Sequence, residues 1–320
     1  MRGLLTWLVR VADVLAAPLT FLAALWMKAV RYTGIHWLPV SKWILFAVGV
    51  FPVRNHYYEP LLHPKALRQR LDQPRRLPGI DLNLAGQLAL LEEFHYNDEL
   101  LEFPFRQRAP QEFFYLNRSF GAGDAEFLYS TIRHFKPRRI IEIGSGNSTL
   151  MAASAIRRNR AESPAYACEH SCIEPYEMPW LEGIGVTVIR RRVEDLDLAM
   201  FGELQANDVL FIDSSHVIRP QSDVLTEFLE IVPSLNRGVL VHVHDIYTPR
   251  DYPEKRLLAE VRFWNEQYLL EALLCGNRDF RVLAALNFLW HDHRDRLLAK
   301  CPVLAKTPNQ QPGSFWMIRA

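Results

Sequence analysis

Arg139-Ile140-Ile141-Glu142-Ile143-Gly144-Ser145-Gly146-Asn147-Ser148-Thr149 decides how the rest of the chain is read. A short apolar run ends at an acidic residue, two glycines follow at alternate positions, and a helix-like stretch begins. This is the pattern of a buried strand that turns tightly into a helix beneath a nucleotide-like ligand. Glycine lets the backbone come close to such a ligand, and a new helix N-terminus offers unpaired N–H groups. Strand–helix turns of this kind also occur without a ligand, so the residues downstream carry the decision.

From Arg138 onward the pattern alternates. Strands are expected at 139–143, 165–169, 186–190, 208–213 and 238–244, with helices at 148–159, 174–182, 221–232 and 254–274. Two further apolar runs, 280–289 and 314–319, read as terminal strands. A helix is also expected at 125–135, capped by Asp124. Val209-Leu210-Phe211-Ile212 and Val239-Leu240-Val241 are continuous apolar runs, as strands buried on both faces should be. The expectation is an α/β fold with a Rossmann-like, doubly wound, mostly parallel sheet of seven strands, preceded by an apolar helical N-terminal arm.

Ligands bind such sheets beyond the C-terminal strand ends. In the expected register these ends carry Gly144-Ser145-Gly146, then Glu169, then Glu194-Asp195, then Asp213-Ser214-Ser215-His216, then His242-Val243-His244-Asp245. Glu169 is placed to accept bonds from ribose hydroxyls, and Glu194 or Asp195 to receive an adenine amino group. Asp213 and Asp245 sit on neighbouring strands where they could share a divalent metal. His216 titrates near neutrality and suits a general base. His244 reads as a ligand or a base, and His242 as a core histidine.

Together these motifs resemble a class I S-adenosylmethionine-dependent methyltransferase, in the branch of small-molecule and sugar O-methyltransferases of the macrolide type. The resemblance covers roughly residues 113–320. It implies that the turn Glu142, Gly144, Ser145, Gly146, Asn147 and Ser148 holds the methionyl part of S-adenosyl-L-methionine, with Glu169 on the ribose and Asp213 facing the same cofactor. It further implies a base after the fourth strand, His216, supported by Asp213 and His244, and a possible magnesium ion at Asp213, Asp245 and His244. Two positions depart from the family pattern. Ser148 stands where a third glycine is usual, and His244-Asp245 stands where metal-binding relatives often carry two acids. An imidazole suits a softer metal, or none.

Residues 1–53 form the arm. Val14–Met27 and Trp43–Val53 are free of charge, and Trp7, Trp26, Trp37 and Trp43 suit a membrane interface. Neither run reaches the 18 to 20 or so residues of a simple span. The expectation is a pair of helices lying on the cytoplasmic face of a membrane, or else buried in a homo-oligomer interface. Residues 54–112 read as a basic, proline-punctuated linker with a cap helix at Leu82–Phe94, and 113–320 as the methyltransferase domain. Cys168, Cys172, Cys275 and Cys301 read as reduced thiols of a cytoplasmic protein. A net charge of +1 gives no nucleic-acid signature. Arg190, Arg191 and Arg192 read as a solvated edge, and Phe113, Tyr115, Asn117, Phe120, Tyr247 and Tyr252 as the wall of a small-molecule acceptor pocket. Two other functions fit the same fold class: a nicotinamide-dependent oxidoreductase, and a non-catalytic, membrane-associated assembly factor.

Overall fold

The computed structural model describes residues 2–320. The chain divides into two compact units, one comprising the chain up to Arg68 with Leu258–Phe263, the other Gln69–Leu257 with Trp264–Ala320.

In the first unit, α1 (Arg2–Thr33) runs unbroken, and α2 (Pro39–Val48) follows a short turn. Pro18 does not divide α1, and Gly3–Thr33 is by length and composition long and apolar enough to cross a membrane, as neither apolar run of the sequence was by itself. Proline lacks the N–H for its i−4 carbonyl, and the helix continues on both sides of that one missing bond. Within this unit Arg31 pairs with Glu59, which Arg54 also reaches at 3.3 Å.

The second unit is built on a seven-stranded sheet in the order β3-β2-β1-β4-β5-β7-β6. Its strands are β1 (Arg139–Ile143), β2 (Glu169–Ile173), β3 (Thr187–Ile189), β4 (Val209–Ile212), β5 (Leu240–Val243), β6 (Phe280–Ala285) and β7 (Phe315–Arg319). The first five are parallel, and β7 runs antiparallel between β5 and β6. Period-2 alternation divides the core. On β4, Val209 and Phe211 join Phe127, Met151 and Trp316 in one apolar layer, while Leu210 and Ile212 join Ile141, Val241 and Phe315 in the other.

The helices are α3 (Leu84–Glu93), α4 (Asn97–Glu102), α5 (Asp124–Phe135), α6 (Asn147–Glu162), α7 (Asp223–Thr226), α8 (Val232–Ser234), α9 (Glu266–Leu274), α10 (Leu286–Asp292) and α11 (Arg294–Leu298), with a π-helical turn at Glu227–Ile231 between α7 and α8. Four expected elements differ. The helix expected at 254–274 is a π-helical turn at Lys255–Ala259 followed, after a non-helical stretch, by α9. Residues 174–182 form no α-helix, because Pro175 and Pro179 interrupt the stretch, and only the short turn Leu181–Gly183 is helical. The run 280–289 is half strand, turning into α10 at Leu286. The second strand begins at Glu169, where it was expected to end. The basic stretch expected as linker is anchored from Gln69 onward: Arg75 donates to Glu271 and to the Arg250 carbonyl, and its own N–H reaches Pro249 O at 2.8 Å.

Two carboxylates at the start of α5 hold the segment leading into β7. Glu126 accepts from the N–H groups of Val303 and Leu304 at 2.7 and 2.9 Å, and Asp124 from those of Gly313 and Ser314 at 3.0 and 2.8 Å. Asp124 is therefore buried, with its side chain turned to that segment rather than capping its own helix.

Candidate active site

The turn after β1 has an internal reason for its first glycine. Gly144 has φ +78°, and a Cβ there would lie 1.9 Å from the carbonyl oxygen of Asp213. Gly146 is extended, and a Cβ there would meet only Met178 Cε, at 3.8 Å. The space above the second glycine is thus open.

Glu142 lies below this turn, not in it. It is 1% exposed and accepts from Ser148 Oγ and Thr149 Oγ1, both at 2.9 Å, while its other oxygen faces His170 Nε2 at 2.5 Å. Its part is to hold the first turn of α6, and Gly146 N–H bonds Thr149 Oγ1 to complete that turn. Ser148 is committed to Glu142, and Asn147 donates to Ser119 Oγ at 2.8 Å.

Glu169 is corrected. It begins β2 and pairs with Arg139 at the start of β1, so it lies at the opposite end of the strands from the glycine turn. The acid at the C-terminal end of β2 is Glu174. It accepts from the N–H groups of Tyr176 and Glu177, and from Ser145 N–H at 3.3 Å. The sequence offered a signal for it: Glu174-Pro175 ends the run, and the residue before a proline is biased to extended backbone.

A hollow of about 550 Å³ lies over these strand ends. Gly144, Glu174, Tyr176, Glu194, Asp213 and Ser215 contribute to its wall. Glu194 thus lies at the hollow, while Asp195 is half exposed and paired with Arg192. The volume is in the range of small-molecule and cofactor sites.

At the next two strand ends the side chains converge. His216 Nε2 lies 3.3 Å from Asp213 Oδ1 and 3.9 Å from Asp245 Oδ2, and His216 Nδ1 lies 2.7 Å from Glu266 Oε2. Glu266, at the start of α9, is fully buried and was not anticipated from sequence; nothing near residue 266 marks it as a partner of residue 216. Tyr247 donates to Asp245 Oδ1 at 2.8 Å. Both His216 and Asp245 have positive φ, 61° and 54°. Such backbone costs about 1–2 kcal/mol per residue and is concentrated at functional sites.

Burial opposes charge on His216, but hydrogen bonds to Asp213 and Glu266 outweigh it and raise its pKa well above the usual imidazole value. Burial likewise opposes the Asp213 charge, and the His244 and His216 imidazoles reverse that, holding the carboxyl below the ordinary range. At His244 the opposing burial is overcome by Asp213, Asp245 and Asp124, which raise its pKa. Burial and the neighbouring His244 push His242 well down, so it is neutral; it stacks on Phe211 at 4.0 Å and meets Ser314 Oγ at 3.0 Å. Behind the site, burial and Glu266 push Glu227 well up, and Glu227 accepts from Ser214 Oγ at 3.0 Å.

The expected acceptor wall is partly core. Phe113 and Tyr115 pack with Phe103, and Tyr115 donates to Leu100 O. Asn117 closes a local turn through Phe114 O and Phe120 O. Tyr252 is fully buried and accepts from Gln267 N–H. Phe120, 5.2 Å from the His244 ring, and Tyr247 adjoin the site.

Comparison with known proteins agrees with this geometry. Residues 141–246 match the family described as a methyltransferase domain. An uncharacterized protein of Archaeoglobus fulgidus is 31% identical over 186 residues, which cover 54% of this chain and 80% of that protein. Among solved structures, an O-methyltransferase from Bacillus cereus in complex with SAH overlaps at a TM-score of 0.37 and 13% identity, covering 72% of this chain and 91% of its own. A Mg-SAM structure of cmcI overlaps at 0.34 and 16%, covering 62% and 71%. With the glycine turn after β1 and the matched region running from β1 past the end of β5, residues 141–246 of the chain form a methyltransferase domain.

Proposed function

We propose that the chain methylates a hydroxyl oxygen of a small-molecule acceptor, with His216 as the base. One observation carries this reading: His216 Nε2 faces the strand ends beside the cofactor hollow, while its Nδ1 is held by the buried Glu266 carboxylate at 2.7 Å. A carboxylate on Nδ1 fixes ring orientation and tautomer, leaving Nε2 to take a proton. The cofactor, when bound, supplies an electrophilic methyl on a cationic sulfur. Glu174, in place of Glu169, would meet the ribose hydroxyls of S-adenosylmethionine and Glu194 its adenine amino group, while the open space over Gly146 would admit the methionyl part. The acids around the hollow favour a cation.

Asp213 and Asp245 would also hold a divalent cation, with His244 as a third donor. The buried His244 Nδ1 has no hydrogen-bond partner, and two carboxylates with an imidazole suit manganese or zinc at least as well as magnesium. A cation held there would supply Lewis acidity toward the acceptor hydroxyl. The exposed apolar helices of the first unit support placement of the enzyme at a membrane surface.

His216→Ala is expected to lower kcat by about 10²–10⁴ while leaving cofactor affinity within a few-fold. Because the raised His216 pKa must be crossed before the base is free, kcat rises with pH through a midpoint above 6.5. Removing the Glu266 charge (Glu266→Gln) lowers that midpoint. Unchanged turnover in His216→Ala would remove the base assignment. Calorimetric titration with magnesium and manganese, repeated on Asp245→Asn, tests the cation.

A further inference from the structure

The polar residues of α1 follow one line. Thr6, Arg10, Asp13, Thr20, Lys28 and Arg31, with the small Ala17 and Ala24 filling the gaps, are spaced by three or four residues throughout. At about 100° per residue they occupy a sector of about 80°. The large apolar residues take the opposite side. They fill the remaining arc of about 240°, from Phe21 round to Val9; near its centre Leu4, Trp7, Leu8, Leu15, Leu22 and Trp26 fall within about 100° and are 49–76% exposed.

A helix that crosses a bilayer sorts its polar residues by depth, toward its two ends. Here Arg10 and Asp13 lie toward one end and Lys28 and Arg31 toward the other, yet all four share one narrow angular sector with Thr6 and with Thr20 at mid-helix, over about seven turns. The charge-free run 14–27 covers about 21 Å at 1.5 Å per residue, short of the ~30 Å hydrocarbon layer. The apolar arc is also broader than the ~100° stripe with which a helix packs on one neighbour. Charge complements a lipid surface: with Arg31 paired to Glu59, Arg10 and Lys28 stand against one acid, Asp13, and α2 adds Lys42 beside exposed Val40, Trp43 and Phe46.

We propose that α1 lies in the plane of an anionic lipid surface, its apolar arc in the acyl region and its Thr6–Arg31 stripe toward water, without crossing. The inference rests on the membrane placement proposed above and adds the orientation. Helices of this kind bury their apolar face some 5–10 Å into the interface.

The test uses the full chain with Cys275→Ser, since Cys275 is the exposed thiol and the other three are buried. Single cysteines are introduced as Arg10→Cys, Thr20→Cys, Lys28→Cys, Leu15→Cys and Leu22→Cys. Each protein is mixed with phosphatidylglycerol–phosphatidylcholine vesicles, floated, and exposed to an impermeant maleimide added outside. Positions 10, 20 and 28 should all label as fast as in detergent, and 15 and 22 at least tenfold slower. Flotation with position 20 protected, or with 10 and 28 labelled from opposite sides, overturns the orientation and leaves membrane placement standing. Failure to float overturns both, and protection of 15 and 22 without lipid in a sedimenting oligomer assigns the arc to a second copy.

Discussion

Glu169 and Glu174 are five residues apart and have opposite fates. Glu169 meets Arg139 at one end of the strands, and Glu174 reaches the Ser145 amide at the other. Glu174→Ala should therefore weaken S-adenosylmethionine binding by about 10–100-fold, 1.4 kcal/mol per tenfold, while Glu169→Ala leaves it unchanged. Calorimetric titration of both variants decides it, and equal losses would undo the assignment. Gly144 makes a different kind of demand. With positive φ and the Asp213 carbonyl in the place of a Cβ, Gly144→Ala should cost more than about 3 kcal/mol, read by denaturant unfolding. The glycine turn was legible because local chemistry dictates it. The acid that follows β2, Glu174, was not, because apolar alternation at 165–173 fits more than one register and only Pro175 marks the end. Glu266 lay beyond reach for another reason: its partner is 50 residues away, and sequence spacing holds no record of that contact.

Among the elements, α5 shows how charge is buried when it terminates other structure. Glu126 accepts three backbone N–H groups, and burial still pushes its carboxyl up to about 7. The folded-state value lies above the ordinary 4.5, so the folded state binds this proton more tightly. Stability is full below 4.5 and is lost as pH rises through about 7, by on the order of 3 kcal/mol. Glu126→Gln lacks that titration and leaves one N–H without an acceptor. Its deficit against the wild type, about 1–3 kcal/mol at pH 5, should shrink by pH 8; a constant gap in unfolding free energy would contradict this. Elements with continuous apolar runs, β1, β4 and β5, were legible almost to the residue. Those that failed did so where proline overrode an apparent helix, at 174–182, or where one apolar run served two elements, at 280–289.

For the whole molecule, strand–helix alternation was enough to expect a mostly parallel seven-stranded sheet, but the placement of β7 between β5 and β6 follows from long-range pairing that no local pattern records. The apolar arm was legible as helical, and its single angular stripe becomes plain once α1 is known to be one helix. The bonds that α5 and Ala122, two residues before it, make to the segment before β7 have a further consequence. Five of them, from Ala122, Val303, Leu304, Gly313 and Ser314, join parts of the chain 177 to 190 residues apart. At about 1 kcal/mol each they total about 5 kcal/mol, at the low end of what unfolds an entire domain. Gly313 also accepts from the Ile246 N–H, directly after Asp245. Parting this seam therefore costs about as much as unfolding a whole domain, so the wall it gives the carboxylate cluster stands or falls with the fold that carries it.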